Sequence, residues 1–245
     1  WPLSPEMTPQ IDGVAGIAAL EDMIAITQAL VPGAGAMGLF ENWERYARGD
    51  IYANIGWGGT QKYLNGPDSK MRGEMSFAAM PGGKFGDDVV PMPYFNWGWS
   101  YVVSATSSMP ELAYLFSLFA SSPEMSTRAV RQVEGFFDPF RDEHYDDPGI
   151  VAAYSAPFLK VHRASLLGAI PDFYLKGRAE YFAALAEGID QALLGKTTPK
   201  AALKRVAQTW QLITSRTGRV EQSLRWQQLR SQYPSAVRRV LRDLT

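Results

Sequence analysis

Residues 94–122, YFNWGWSYVVSATSSMPELAYLFSLFASS, decide the fold class. An aromatic, glycine-interrupted loop (Phe95, Asn96, Trp97, Gly98, Trp99) runs into the β-rich stretch 100–103, and an apolar helix follows. Ser108 and Pro110 mark the start of that helix, and Leu112, Ala113, Phe116 and Phe119 form one face at i, i+3/i+4 spacing. A strand feeding a helix in this way predicts an α/β architecture with indole rings presented at the loop end. Such rings offer flat apolar faces and one N–H donor each, which suits a ligand with apolar patches and hydroxyls. Trp97 and Trp99 also alternate across the strand, a pattern in which one of them fills the core.

Outward from this segment, strong helix signals alternate with short β-like runs. Residues 14–30 carry Ile17, Leu20, Ile24 and Leu30 at helical spacing and stop at Pro32 and Gly33. Residues 41–48 predict a short helix closed by Gly49. Residues 51–55 then read as a buried strand ending in the turn Gly56-Trp57-Gly58-Gly59, and 75–80 as a second strand. Ser122 and Pro123 open a helix to Val133, and 135–148 read as a polar crossing loop. Helices at 178–194 and from Thr198-Pro199 to about Ser215 are separated by Gly195. The basic stretch beyond Arg216, with apolar anchors Leu224, Trp226, Leu229 and Tyr233, predicts a surface helix packed on the body.

Composition narrows the function classes. The chain has 245 residues, a formal net charge of −1 and no cysteine. No overall field recruits nucleic acid or anionic membrane, and thiol catalysis, disulfides and cysteine-based zinc sites are excluded. No apolar run approaches the ~20 residues that span a bilayer, and Trp1 does not begin a signal peptide. An exported form therefore implies a start after the leader.

Several motifs carry less than their letters suggest. Gly33-Ala34-Gly35-Ala36-Met37-Gly38 matches GxGxxG, but a helix precedes it where a strand is needed to aim a helix N-terminus at a pyrophosphate. His144 and His162 are far apart, and Asp142, Glu143, Asp146 and Asp147 lack the alternation and central glycine of a calcium loop. No metal or other cofactor is expected. Glu41, Glu44, Asp138 and Asp142 are the carboxylates available for glycoside hydrolysis, the main enzymatic alternative; no GxSxG elbow is present.

Six segments occur in an order that resembles the later half of the extracellular solute-binding proteins of ABC importers, in the group that binds sugars. They are the 14–30 helix, ARGDIYANIGWGG (47–59), MSFAAMPGG (75–83), FNWGWSYVVSATSSMPELAYLFSLFASSPE (95–124), GFFDPFR (135–141) and the helical pair in 170–213. The resemblance implies a type II periplasmic binding fold, two-lobed, with most of the N-terminal lobe lacking from this stretch of chain. It places 1–82 and 141–245 in one lobe and 90–134 in the other. It further implies a carbohydrate or polyol held in an interlobe cleft and delivered to membrane permease subunits, in the periplasm or on the outer face of the cell membrane as a lipoprotein. A separate chain supplying the first lobe, and a sugar-sensing module without transport, are the variants of this reading. Residue by residue, Trp57 and Gly58 match the position whose aromatic stacks on a sugar ring. Asn96, Trp97, Gly98 and Trp99 match the loop facing the cleft, Arg141 a crossing residue near the hinge, and Tyr181 or Phe182 an aromatic facing ligand.

Overall fold

The structure is a computed structural model describing residues 1–27, 29–85, 88–93, 95–96 and 98–242. In chain order it contains α1 (Val14–Thr27), α2 (Leu39–Arg48), α3 (Gly58–Leu64), β1 (Gly83–Phe85), β2 (Asp88–Val90), β3 (Phe95–Asn96), α4 (Pro110–Ala120), α5 (Pro123–Arg131), α6 (Pro148–Tyr154) and α7 (Ala156–Leu167). After these come β4 (Ile170–Pro171), α8 (Arg178–Leu193), α9 (Pro199–Thr217), α10 (Arg219–Ser231) and α11 (Ser235–Arg242). Two compact units form, one from 1–34 with 170–245 and one from 35–169.

Local signals explain most helices. Thr198 caps α9 by accepting from the Ala201 N–H at 3.2 Å, and Ser122 does the same for α5 from Met125. Gly49 closes α2 in the left-handed region at φ 85°, with its N–H bonded to the last carbonyls. Asp147, expected in a solvated acidic loop, instead caps α6 through the Ile150 N–H at 3.0 Å and accepts from Arg131 Nε at 2.8 Å.

The expected α/β balance is corrected toward helix. Segments 51–55, 75–80 and 100–103 are not strands, and Tyr52, Ile55 and Val102 are strongly exposed. A strand exists only where a neighbour takes up its N–H and C=O groups. Among the described residues these segments have no such ladder. The hairpin pairs β1 with β2 antiparallel, Gly83 opposite Val90.

In the 1–34/170–245 unit, α1, α8 and α9 pack on one another. Leu20 is buried with Ala192, Ala202 and Leu203, and Ile17 and Ile24 lie against them, so the α1 stripe is as expected up to Ile24. Gly188 permits the α8–α9 approach, since a Cβ there would meet Val206 Cγ2 at 2.5 Å. A second cluster joins Tyr181, Trp210, Ile213, Trp226 and Leu229 to Leu3 and Met7 of the N-terminal strap. Trp226 Nε1 donates to the Leu3 carbonyl at 3.1 Å, and Ser223 Oγ to Pro5 at 2.7 Å. The basic α10 does pack on the body as expected. Arg219 and Arg225 donate to the carbonyls of Glu6 and Tyr174, and the Arg230 guanidinium lies 4.2 Å from the Trp1 ring. Leu224 is the exception among the anchors, facing solvent.

The 35–169 unit has a smaller apolar core, built from Val130, Ile150, Ala153, Tyr154 and Leu159. Its α4 forms as the Pro110 signal predicts but buries no residue; Leu112, Phe116 and Phe119 are each more than half exposed.

The Trp226 anchor gives a direct test. Trp226→Ala removes an indole that is 1% exposed together with its bond to the strap. Loss of about 3–5 kcal/mol is expected, read by chemical denaturation as a lowered transition midpoint.

Candidate ligand-binding site

The site grows from a chain reversal between α2 and α3. After Gly49 the backbone runs extended, stitched to α2 by Asn42 Nδ2 donating to Asn54 Oδ1 at 3.2 Å. Trp57 then sits at the N-cap of α3, its N–H directed at Thr60 Oγ1 at 3.4 Å. Its indole packs edge-on against Trp43 at 5.6 Å, and Trp43 is in turn 5.3 Å from Phe40, 5.5 Å from Tyr63 and 6.3 Å from Phe136. Trp43 is buried, whereas Phe40 and Phe136 are 60% and 61% exposed. The result is an aromatic shelf, part buried and part open, within the 35–169 unit.

Beneath the shelf lies a polar foundation. Helix α3 reads GGTQKYL, with no apolar stripe, yet Thr60, Gln61 and Lys62 are buried. Gln61 Nε2 donates to the Tyr154 carbonyl at 2.9 Å, and Asn65 Nδ2 to Ala153 at 3.0 Å, fastening α3 to the end of α6. Lys62 Nζ donates to the carbonyls of Gln132 and Phe137 at 3.0 and 2.9 Å and stands 5.3 Å from the Tyr154 ring. The single Tyr154 Oη proton is shared between Phe137 O at 2.8 Å and Asp138 Oδ1 at 3.1 Å. The crossing segment is therefore held at both ends and Asp138 is aimed at the start of α3. A Cβ on Gly58 would lie 2.2 Å from Asp138 Oδ1, so only glycine leaves room for the carboxylate.

Burial dominates the electrostatics here. It pushes the Asp138 carboxyl up to about 6, against the Tyr154 hydrogen bond and the Lys62 charge, and pushes Lys62 down to about 8, against Asp138. Tyr154 is raised further, by burial and by the neighbouring carboxylate.

The other expected site residues fare differently. Trp57 and Gly58 come together with Asp138 and Phe136. Trp99 is 87% exposed, Gly98 has open space around it, Asn96 lies in β3, and Trp97 lies outside the described residues. Arg141 is engaged in the crossing, donating to the Ser121 carbonyl at 2.8 Å and Ser126 Oγ at 3.2 Å. Tyr181 is corrected to a core residue. It is fully enclosed, bonded to Thr214 Oγ1 at 2.6 Å and packed on Trp210, because the inward face of α8 falls on it. Its neighbour Phe182 keeps an open face, with the Arg178 guanidinium 4.7 Å away.

Sequence reasoning named Asp138 only as an available carboxylate and missed Lys62, whose one signal is a lysine in a helix lacking a solvent-facing pattern. The hydrolytic carboxylates go to separate partners: Glu44 pairs with Arg48 and Asp142 with Arg163. His144 and His162 are buried, and among the described residues no three His, Asp or Glu side chains gather to hold a metal. The glycine-rich 33–38 stretch follows α1 and forms a short 3-10 turn, without a strand ahead of it. No helix among the described residues is long and apolar enough to cross a membrane.

No family model matches the chain, and no curated protein matches it. Among solved structures it is similar to maltose-bound T. maritima MalE3, at 18% identity and a TM-score of 0.71 over 86% of this chain and 53% of that one. The chain thus shares the fold of a sugar-binding protein and spans about half of its length.

Two outcomes test the foundation. Gly58→Ala forces the carboxylate or the crossing to move, and a loss of about 1–3 kcal/mol is expected from the stability of the 35–169 unit. For the pair, the signs are opposite. A raised Asp138 binds more protons folded than unfolded, so its stabilising contribution is complete below pH 3.8 and is lost as pH rises through about 6. A lowered Lys62 contributes fully above pH 10.5 and loses that as pH falls through about 8. Denaturation across pH should show a falling limb between 4 and 6, which Asp138→Asn flattens.

Proposed function

We propose that this chain belongs to the substrate-binding subunit of an ABC transporter, capturing a carbohydrate or polyol in an interlobe cleft and passing it to the permease on the outer side of the membrane. The observation that carries this reading is the shelf of exposed Phe40 and Phe136 with the partly exposed Trp57, next to a half-buried carboxylate. The fold shared with a maltose-bound protein supports it. An aromatic buries about 150–250 Å² in all, and half of that against a sugar face yields roughly 2 kcal/mol at ~25 cal/mol/Å². Two or three platforms with a few hydrogen bonds of about 1 kcal/mol each reach micromolar affinity. Binding alone requires no catalytic group.

The 96–99 loop, including Trp97, supplies further contacts in this reading, Arg141 steadies the crossing, and Phe182 replaces Tyr181 as the open ring of that pair. The division into lobes, 1–82 and 141–245 against 90–134, goes with it. A complementary lobe, from the same or another chain, would pair segments 51–55, 75–80 and 100–103 and cover the exposed face of α4. Full-length protein titrated with maltose, glucose, mannitol and sorbitol should give a thermal shift and a micromolar Kd for at least one, with no product formed. Trp57→Ala should weaken that binding about thirtyfold, the equivalent of roughly 2 kcal/mol. Turnover of a saccharide, or the absence of any shift across an extended sugar and polyol library, overturns the proposal.

A further inference from the structure

We infer that Asp138 is the specificity-determining acceptor of the ligand site, gripping hydroxyls of a polyhydroxy ligand whose apolar face lies on Trp57. This rests on the carbohydrate reading above and adds a residue to it that the resemblance did not single out. Three observations place the group. First, the carboxylate is brought to the start of α3 directly beside Trp57, in the space that Gly58 leaves by having no Cβ. Second, its position is fixed from behind. Lys62 and Tyr154 both hold the Phe137 carbonyl, Pro139 is buried, and Tyr154 Oη donates to Oδ1. Third, its acceptor capacity is not used up. Among the described residues Tyr154 is the one donor to the carboxylate, and Lys62 donates to two carbonyls rather than to it.

A half-buried carboxylate with an unfilled oxygen, next to a partly exposed indole, matches the two sides of a sugar. C–H groups meet the ring, and the hydroxyls along the ring edge donate to the acceptor. A carboxylate has two oxygens and about four lone-pair sites, so with Oδ1 taking one bond from Tyr154 it can still accept two hydroxyls from adjacent carbons. The chemistry favours vicinal diols over amines or carboxylic acids. An anion would meet like charge at Asp138, while Asp142 and Glu44 are paired with Arg163 and Arg48. Burial, which raises the proton affinity of this carboxyl, also strengthens any hydrogen bond that it accepts from ligand.

The test is a cycle between residue and ligand hydroxyls, using full-length protein. Calorimetry with the tightest-binding of maltose, glucose, mannitol and sorbitol, and with its monodeoxy analogues, is performed on the parent, Asp138→Asn and Asp138→Ala, each first checked for an intact thermal transition. The expected result is a loss of about 10- to 100-fold for Asp138→Ala, the usual range for a charge-assisted bond. At least one deoxy analogue should bind the parent poorly and the variant as well as the full sugar does. A carboxylate with a structural role only would lower affinity equally for every analogue, and that pattern overturns the inference. So does a folded Asp138→Ala protein that binds as the parent does. Failure of the parent to bind any saccharide or polyol refutes the function reading itself, and this inference falls with it; the parent's own isotherm separates the two.

Discussion

The ammonium of Lys62 is the constraint on which the 35–169 unit turns. It is fully enclosed, and a buried charge without partners is untenable, so the protein must supply acceptors. It supplies the carbonyls of Gln132 and Phe137, the two ends of the segment that carries Phe136 into Asp138. The backbone route of that segment is thereby tied to α3, and α3 is tied to α6 through Gln61 and Asn65. Phe136 reaches the aromatic shelf and Asp138 reaches Gly58 because this one side chain fixes where the crossing passes. An apolar residue at 62 would leave the Gln132 carbonyl to the Gly135 N–H and the Phe137 carbonyl to Tyr154 Oη, and the one side chain that joins the two ends of the crossing to α3 would be lost.

What was legible in the sequence follows from where the information is stored. Helices α1, α2, α4, α5, α8 and α9 were readable because their causes are local: a stripe of apolar residues, a Pro at the first position, a Ser or Thr cap, a closing Gly. Strands at 51–55, 75–80 and 100–103 were not, because an extended run becomes a strand only through a partner that its own residues do not specify. Helix α3 escaped for the opposite reason. Its burial is paid for by long-range hydrogen bonds from Gln61, Lys62 and Asn65, and no periodicity in GGTQKYL announces them. At the candidate site, the Gly-rich setting singles out Trp57 in the sequence, whereas Tyr181 and Phe182 were indistinguishable by type. Helical phase decided between them, turning Tyr181 toward Trp210 and Phe182 outward.

Helix α4 shows how far local causes reach. Its termini obey the sequence signals, but six of its apolar side chains, Leu112, Tyr114, Leu115, Phe116, Leu118 and Phe119, remain about half exposed. Propensity builds a helix of eleven residues here without a packed face, although tertiary burial is the usual source of helix stability. An apolar surface of this kind marks a site of association.

The aromatic shelf and its foundation solve opposite problems. Rings that keep an exposed face gain less from burial and depend on their neighbours for orientation. A wholly apolar base would hold them by packing, which is non-directional and tolerates small rotations. A base of hydrogen bonds is directional. Lys62, Gln61 and Tyr154 set the helix axis and the crossing at defined distances, and Trp43, buried at the centre, meets Phe40 and Trp57 edge-on at 5.3 and 5.6 Å and Phe136 in a tilted contact at 6.3 Å. The same directional network delivers one carboxylate to the edge of the shelf with an oxygen to spare. The placement of the rings and of the carboxylate beside them therefore has a common origin in a buried polar helix.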